Sequence, residues 1–268
     1  MNHPRSLSLL SGNMLKIIAL VSMTVDHIGF FLMPKVTVLR IIGRLAMPIF
    51  AFMIAEGCFY TRSRKKYFLN VFFIGILCQT VIYFAEKSIS QCIMITFSLS
   101  ILMIFLLDHV CSYTVKGSLA SVKVLLWFAF AAALCALYIV TVVLPEVLKG
   151  TDFGVDYGFF GVILPVLLYL PYLYIRILRC RADDNKKLPD DRTGLLLDIS
   201  RYLLLALGLA LIAATISLKV QIWSLLAIIP LLLYSGRRGK LNLKYLFYIY
   251  YPVHIGIINL IVMLRQVR

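Results

Sequence analysis

Asp26 and His27 are adjacent within MLKIIALVSMTVDHIGFFLM, residues 14–33, a run otherwise long and apolar enough to cross a bilayer. A charged group at the centre of such a helix costs about 2.5–3.5 kcal/mol on insertion scales, so an intramembrane Asp-His pair reads as functional. Histidine changes charge near neutral pH, and a neighbouring carboxylate can orient it or favour its protonated form. The implied chemistry is proton transfer within the membrane, with His27 as general base and Asp26 holding its tautomer. The competing reading pairs Asp26 with an arginine of the next span and leaves His27 as the more reactive member.

That next span, LRIIGRLAMPIFAFMIAEGCFYTRSRKKY, is the most polar of the apolar runs. Arg40 and Arg44 are four residues apart and share a helical face. Arg40 can snorkel to the headgroups. Arg44 lies about 6 Å deeper by helical rise and needs a partner, for which Asp26 is the nearest candidate. Pro48 predicts a kink or an opened backbone. Glu56 reads either as an interfacial carboxylate paired with Arg62 or Lys65, or as a second titratable group at the cytoplasmic mouth. In the last apolar run, KYLFYIYYPVHIGIINLIVML, Tyr248, Tyr251 and His254 recur every three residues, with Pro252 loosening the helix. They form either the lining of a polar chamber, where Tyr251 and His254 orient an acceptor or stabilise an oxyanion, or ordinary interhelical hydrogen bonds. Asp108-His109 repeats the dipeptide at the cytoplasmic end of another run and reads as an interfacial pair close to water. GTDFGVDYGFFG, residues 150–161, reads as an outer loop in which Asp156 and Tyr157 can touch an acceptor.

The elements that must position these groups follow from composition. Hydrophobic residues make up 62% of the 268, charged residues only 15%, and mean hydropathy is +0.94, far above a soluble domain. The fold class is all-α, a polytopic transmembrane helical bundle. Nine spans are expected near 14–33, 39–58, 68–86, 93–108, 122–144, 158–178, 199–217, 220–235 and 243–264, with eight as the alternative because the eighth is short. An N-inside, C-outside register gathers most Lys and Arg in alternate loops, including Arg62–Lys66, Arg176–Arg201 and Arg237–Lys244, as cytoplasmic loops require. The net charge of +15 is thereby explained without nucleic acid. No cleavable signal peptide is expected. Six scattered cysteines show no CxxC spacing and read as reduced packing residues, with no disulfide and no metal site. The chain reads as one membrane domain with a short cytoplasmic linker near 179–194.

The fragments LKIIALVSMTVDHIG, LRIIGRLAMPIFAFMIAEGCFYTRSRKKY, DYGFFGVILPVLLY, WSLLAIIPLLLYSGRRG and YLFYIYYPVHIGI, in this order, resemble the TraX family of membrane proteins. The likeness covers Asp26, His27, Arg40, Arg44, Pro48, Glu56, Tyr60, Arg62, Asp156, Tyr157, Gly158, Gly161, Tyr251, Pro252 and His254. It implies a bacterial inner-membrane protein that N-acetylates a pilin amino terminus, and more distantly it is similar to membrane acyltransferases that use acetyl-CoA on surface glycans. On that implication acetyl-CoA is the acyl donor and a peptide or glycan the acceptor. The donor's phosphates would need cations at the cytoplasmic mouth, where Arg62, Arg64, Lys65 and Lys66 and the loop Arg237, Arg238 and Lys240 supply two clusters. A proton-coupled transporter and a non-catalytic assembly factor are the other classes compatible with these residues, and a homo-oligomer is compatible with any of them.

Overall fold

The computed structural model describes residues 9–115, 119–181, 191–240 and 243–266. His3, Lys116 and linker residues 182–190 lie outside that set, as does the side chain of Tyr248. Among the described residues there are helices, turns and two isolated backbone bridges, and no strands. The helices are α1 (Gly12–His27), α2 (Thr37–Gly43), α3 (Ala46–Tyr60), α4 (Arg64–Glu86), α5 (Ile93–Val115), α6 (Ala120–Tyr138), α7 (Leu144–Val147), α8 (Gly158–Arg181), α9 (Asp191–Thr215), α10 (Leu218–Gln221), α11 (Ile228–Leu232) and α12 (Lys244–Gln266). Seven helical stretches are long and apolar enough to cross a membrane, and two shorter ones, Leu218–Leu232 and Ile249–Arg265, fall at the remaining two expected positions. The chain is a multi-pass helical membrane protein.

Backbone chemistry explains where the spans are interrupted. Pro48 has no N–H and its ring crowds the carbonyl four residues back, which is that of Arg44. The break between α2 and α3 therefore falls at Arg44 and Leu45, not at the proline itself. Beyond His27 the helix widens to π geometry over Ile28–Leu32, closed by Met33 N–H on the Ile28 carbonyl at 3.0 Å. The turn before α8 puts Tyr157 and Gly158 at φ of 60° and 57°, with the Asp156 carbonyl accepting from Thr96 at 2.9 Å.

Contacts cluster into two compact units, a subdivision that hydropathy does not carry. The first is drawn from Met1–Met53, Phe73–Ile89 and Leu209–Arg268, and the second from Ile54–Phe72 and Ser90–Gly208. In the first unit α1 and α2 form an antiparallel hairpin. A Cβ on Gly29 would sit 2.8 Å from Cβ of Leu39, and one on Gly43 would overlap the Asp26 carboxylate at 2.2 Å. Both glycines thus permit an approach that any side chain would block. Helix α12 joins α1 through Lys16 over the Phe247 ring, Thr24 with Tyr250, His27 with His254 and Arg265 on the Leu32 carbonyl. The order is the same along both helices, so they run parallel, as first and last spans of an odd-numbered set must. In the second unit α5 and α8 are also parallel, tied by Ser100 to the Val162 carbonyl at 2.8 Å and by Tyr169 to Asp108 at 3.0 Å.

Candidate functional site

The first unit brings together six of the residues singled out in the sequence. Asp26, near the end of α1, meets the hairpin partner α2 and takes both of its arginines. Arg44 Nη2 donates to Oδ1 at 2.6 Å and to Oδ2 at 2.7 Å. Arg40 Nη1 donates to Oδ2 at 2.8 Å and lies over the Phe30 ring at 4.8 Å. Arg40 is therefore an ion-pair partner of Asp26. The seat for the carboxylate is the bare backbone of Gly43, between the two arginines. Two guanidinium groups on one carboxylate leave the trio net positive, with the Arg44 side chain 7% exposed.

Asp26 does not hold His27. Consecutive residues on an α-helix point about 100° apart, so Asp26 faces α2 while His27 faces α12. There His27 Nδ1 is 2.9 Å from His254 Nε2, with the ring planes 13° apart. His254 Nδ1 is 3.0 Å from the Tyr250 carbonyl. A carbonyl only accepts, so His254 Nδ1 carries the hydrogen. With both rings neutral, His254 Nε2 is then the acceptor for the Nδ1–H of His27, and the lone pair of His27 stands on Nε2. His27 is half-buried. Both nitrogens of His254 are engaged within the protein, on His27 and on the Tyr250 carbonyl.

Around this pair, the Tyr250 ring lies 13° from the His254 plane at 5.3 Å, and the buried Tyr251 meets His254 edge-on at 5.3 Å. The Thr24 hydroxyl donates to the Leu20 carbonyl at 2.9 Å and so accepts from the Tyr250 hydroxyl at 2.7 Å. Thr24 and Tyr250 were missed in the sequence. The four-residue spacing of Tyr250 and His254 was the available signal, since residues i and i+4 adjoin as surely as i and i+3.

The remaining residues singled out in the sequence fall elsewhere. Arg237, Arg238 and Lys240 are exposed in the loop after α11. The carbonyls of Arg237 and Arg238 accept from the Gly12 and Asn13 N–H groups at 2.7 and 3.0 Å, capping α1 at the end about 22 Å from His27 by helical rise. Glu56 belongs to the second unit and is buried, 8% exposed. Arg62, Lys65 and Lys66 are exposed in that unit at the start of α4, while Arg64 turns to Asp108. Asp108, expected close to water, is fully buried and also takes Arg176 at 2.5 Å and the Tyr169 hydroxyl. None of the six cysteines forms a disulfide with another; Cys58, Cys78 and Cys92 are buried, but Cys135 and Cys180 are exposed and do not serve as packing.

A helical multi-pass bundle with an imidazole pair between its first and last helices defines the class. The TraX protein family model matches residues 11–182, and the chain belongs to the TraX family. It is 26% identical over 272 residues to the probable fimbrial assembly protein FimC, serogroup H1, of Dichelobacter nodosus, covering 92% of this chain and 94% of that one. It is also 29% identical over 119 residues to the uncharacterized protein RP591 of Rickettsia prowazekii (strain Madrid E), covering 43% of this chain and 46% of that one. No solved structure matches the chain.

Proposed function

We propose that this protein is an integral membrane acyltransferase, moving an acetyl group from acetyl-CoA to an amine or hydroxyl of a protein amino terminus or surface glycan. The observation that carries the proposal is the relay from the Tyr250 carbonyl through His254 to His27, which leaves a basic nitrogen on His27 Nε2. In the reaction Nε2 takes the proton as the acceptor nitrogen or oxygen attacks the thioester carbonyl. The tetrahedral intermediate then collapses, the C–S bond breaks, and the imidazolium returns its proton to the departing thiolate. His254 stabilises the cationic ring through the bond to Nδ1, much as a carboxylate would. Direct transfer is preferred; an acetyl-His27 intermediate is the variant for an acceptor approaching from the other face.

In the first unit the exposed loop residues Arg237, Arg238 and Lys240 supply the cations for the donor's phosphates on this reading. An acetyl group would then reach His27 along about 22 Å of α1. The charge distribution of the loops supports placement in the bacterial cytoplasmic membrane with these cations inside. The fimbrial assembly role in the name of the D. nodosus relative supports a fimbrial or pilin-like subunit as acceptor. It equally favours a second reading, a non-catalytic factor that assembles such structures. A proton-coupled carrier is the third.

Purified protein in detergent micelles, incubated with acetyl-labelled acetyl-CoA and a pilin-type amino-terminal peptide, separates these readings. Label transfer or CoA release that His27→Ala abolishes supports the enzyme. The absence of both in a folded wild-type protein overturns it, and solute flux without acetyl-CoA points to the carrier.

A further inference from the structure

Arg64, Arg176 and Arg179 come from segments more than a hundred residues apart yet converge in the second unit. Arg64 and Arg176 both donate to Oδ2 of the buried Asp108, so their guanidinium groups are held side by side. Arg176 and Arg179 both lie over the Phe59 ring, at 5.7 and 5.8 Å, and Arg176 also reaches the Phe59 carbonyl at 3.4 Å. Phe59 itself stacks on Tyr172 at 4.7 Å. An orienting loop charge needs only to be present on the correct side of the membrane; nothing in that role gathers three guanidinium groups around one ring and one carboxylate.

The local charge is unbalanced in a particular way. Asp108 offsets one arginine, and its other oxygen is taken by Tyr169. Glu56, buried one turn before Phe59, offsets at most one more, and Arg201 is matched by Asp198. Arg179 is exposed and has no acceptor among the described residues, and Arg64 and Arg176 keep 41% and 26% of their side chains open. The first turn of α4 places Arg64, Lys65 and Lys66 at the positive end of a 23-residue helix that has no acidic residue there. Cations at that end are unfavourable, and an anion there would relieve them and meet its N–H groups. At this end Ser63 Oγ accepts from the Lys66 N–H at 3.4 Å.

We propose that Arg64, Arg176 and Arg179, with the first turn of α4, form a binding site for a phosphomonoester dianion. Planar guanidinium forks suit phosphate oxygens, and a phosphomonoester carries about −1.5 to −2 charges at pH 7, which the surplus cations with Lys65 and Lys66 can match. The phosphate belongs either to a lipid headgroup or to a soluble nucleotide. With a lipid headgroup as ligand the site is independent of the acyltransfer reading; with a nucleotide it rests on that reading and extends the donor-phosphate role expected of Arg64, Lys65 and Lys66. In either case its residues lie in the second unit and its occupancy does not require His27.

The test uses the full chain in phosphatidylcholine nanodiscs. In one arm phosphatidic acid is doped into the disc and bound lipid is counted by native mass spectrometry. In the other, CoA and 3′-dephospho-CoA are titrated by calorimetry. Saturable binding in either arm, weakened at least tenfold by Arg179→Gln with the melting temperature unchanged, is the expected result. Phosphatidic acid binding assigns the lipid source, and an affinity that falls when the 3′-phosphate is absent assigns the nucleotide. Arg64→Gln extends the test from the exposed arginine to one held on Asp108. No binding in either arm, or binding that survives the Arg64→Gln/Arg179→Gln double variant, overturns the proposal. His27→Ala is expected to bind as the wild type does, whatever becomes of acetyl transfer.

Discussion

The chain contains two Asp-His dipeptides, Asp26-His27 on α1 and Asp108-His109 on α5, and they are built alike only as far as the aspartate. Each carboxylate takes two arginines: Arg40 and Arg44 in the first unit, Arg64 and Arg176 in the second. The histidines differ. His27 is hydrogen-bonded to a second imidazole that is itself held by a carbonyl, whereas His109 is exposed and lies tilted against Tyr113 at 4.8 Å. An aspartate inside an apolar helix therefore identifies a charge clamp, and the chemistry is decided by what the next residue meets one helical step round.

The sharpest way to break this comparison is to remove each histidine. His27→Ala is expected to lower acetyl transfer by roughly 10²–10⁴-fold, the range for a lost general base, while His109→Ala leaves it unchanged; steady-state assays of both in one detergent decide. Equal losses would erase the distinction. Next in size is Asp108→Asn, which leaves two arginines around a neutral, fully buried amide and should cost about 3–5 kcal/mol. Asp26→Asn should cost less, about 2–3 kcal/mol, because Arg40 retains access to solvent at 26% exposure. Chemical denaturation followed by tryptophan fluorescence ranks the two, and the reverse order would show the first clamp to be the more structural.

Gly43→Ala comes third. Its methyl would overlap the Asp26 carboxylate, so a shift in the α1–α2 hairpin costing about 1–3 kcal/mol is expected, seen as a lower melting temperature that Asp26→Asn does not lower further. The smallest effect belongs to Tyr250→Phe. Losing its bond to Thr24 should cost about 0.6 kcal/mol, typical of hydrogen bonds between membrane helices, with acetyl transfer nearly retained because the Tyr250 carbonyl stays in place.

The fold was largely legible because apolar length is the dominant signal in a membrane protein, and each of the nine expected segments coincides with a helix or a pair of short ones. One position falls short of a full span: residues 218–232 are divided among α10, a 3-10 turn and α11, whereas α12 runs 23 residues from Lys244 to Gln266. The Asp26–Arg44 pair was readable from depth alone, since a hairpin places residues of equal depth opposite one another. His27 and His254 were each visible as costly polar groups, but their mutual bond was not. It depends on α1 and α12 being neighbours, and a linear sequence does not say which helices adjoin. Asp108 was misjudged because it was counted at the end of its span, where water was assumed to reach. Loop position marks Arg176 as a topology signal and Arg64 as that or a phosphate ligand, and neither reading points to Asp108 as their partner.

The bond between His27 and His254 spans 227 residues of chain. During synthesis α1 emerges and inserts long before α12 exists, so the two rings meet only when the last helix docks. On the proposed reading, proton-transfer competence is a property of the finished bundle, and a nascent or prematurely ended polypeptide has His27 without its partner ring.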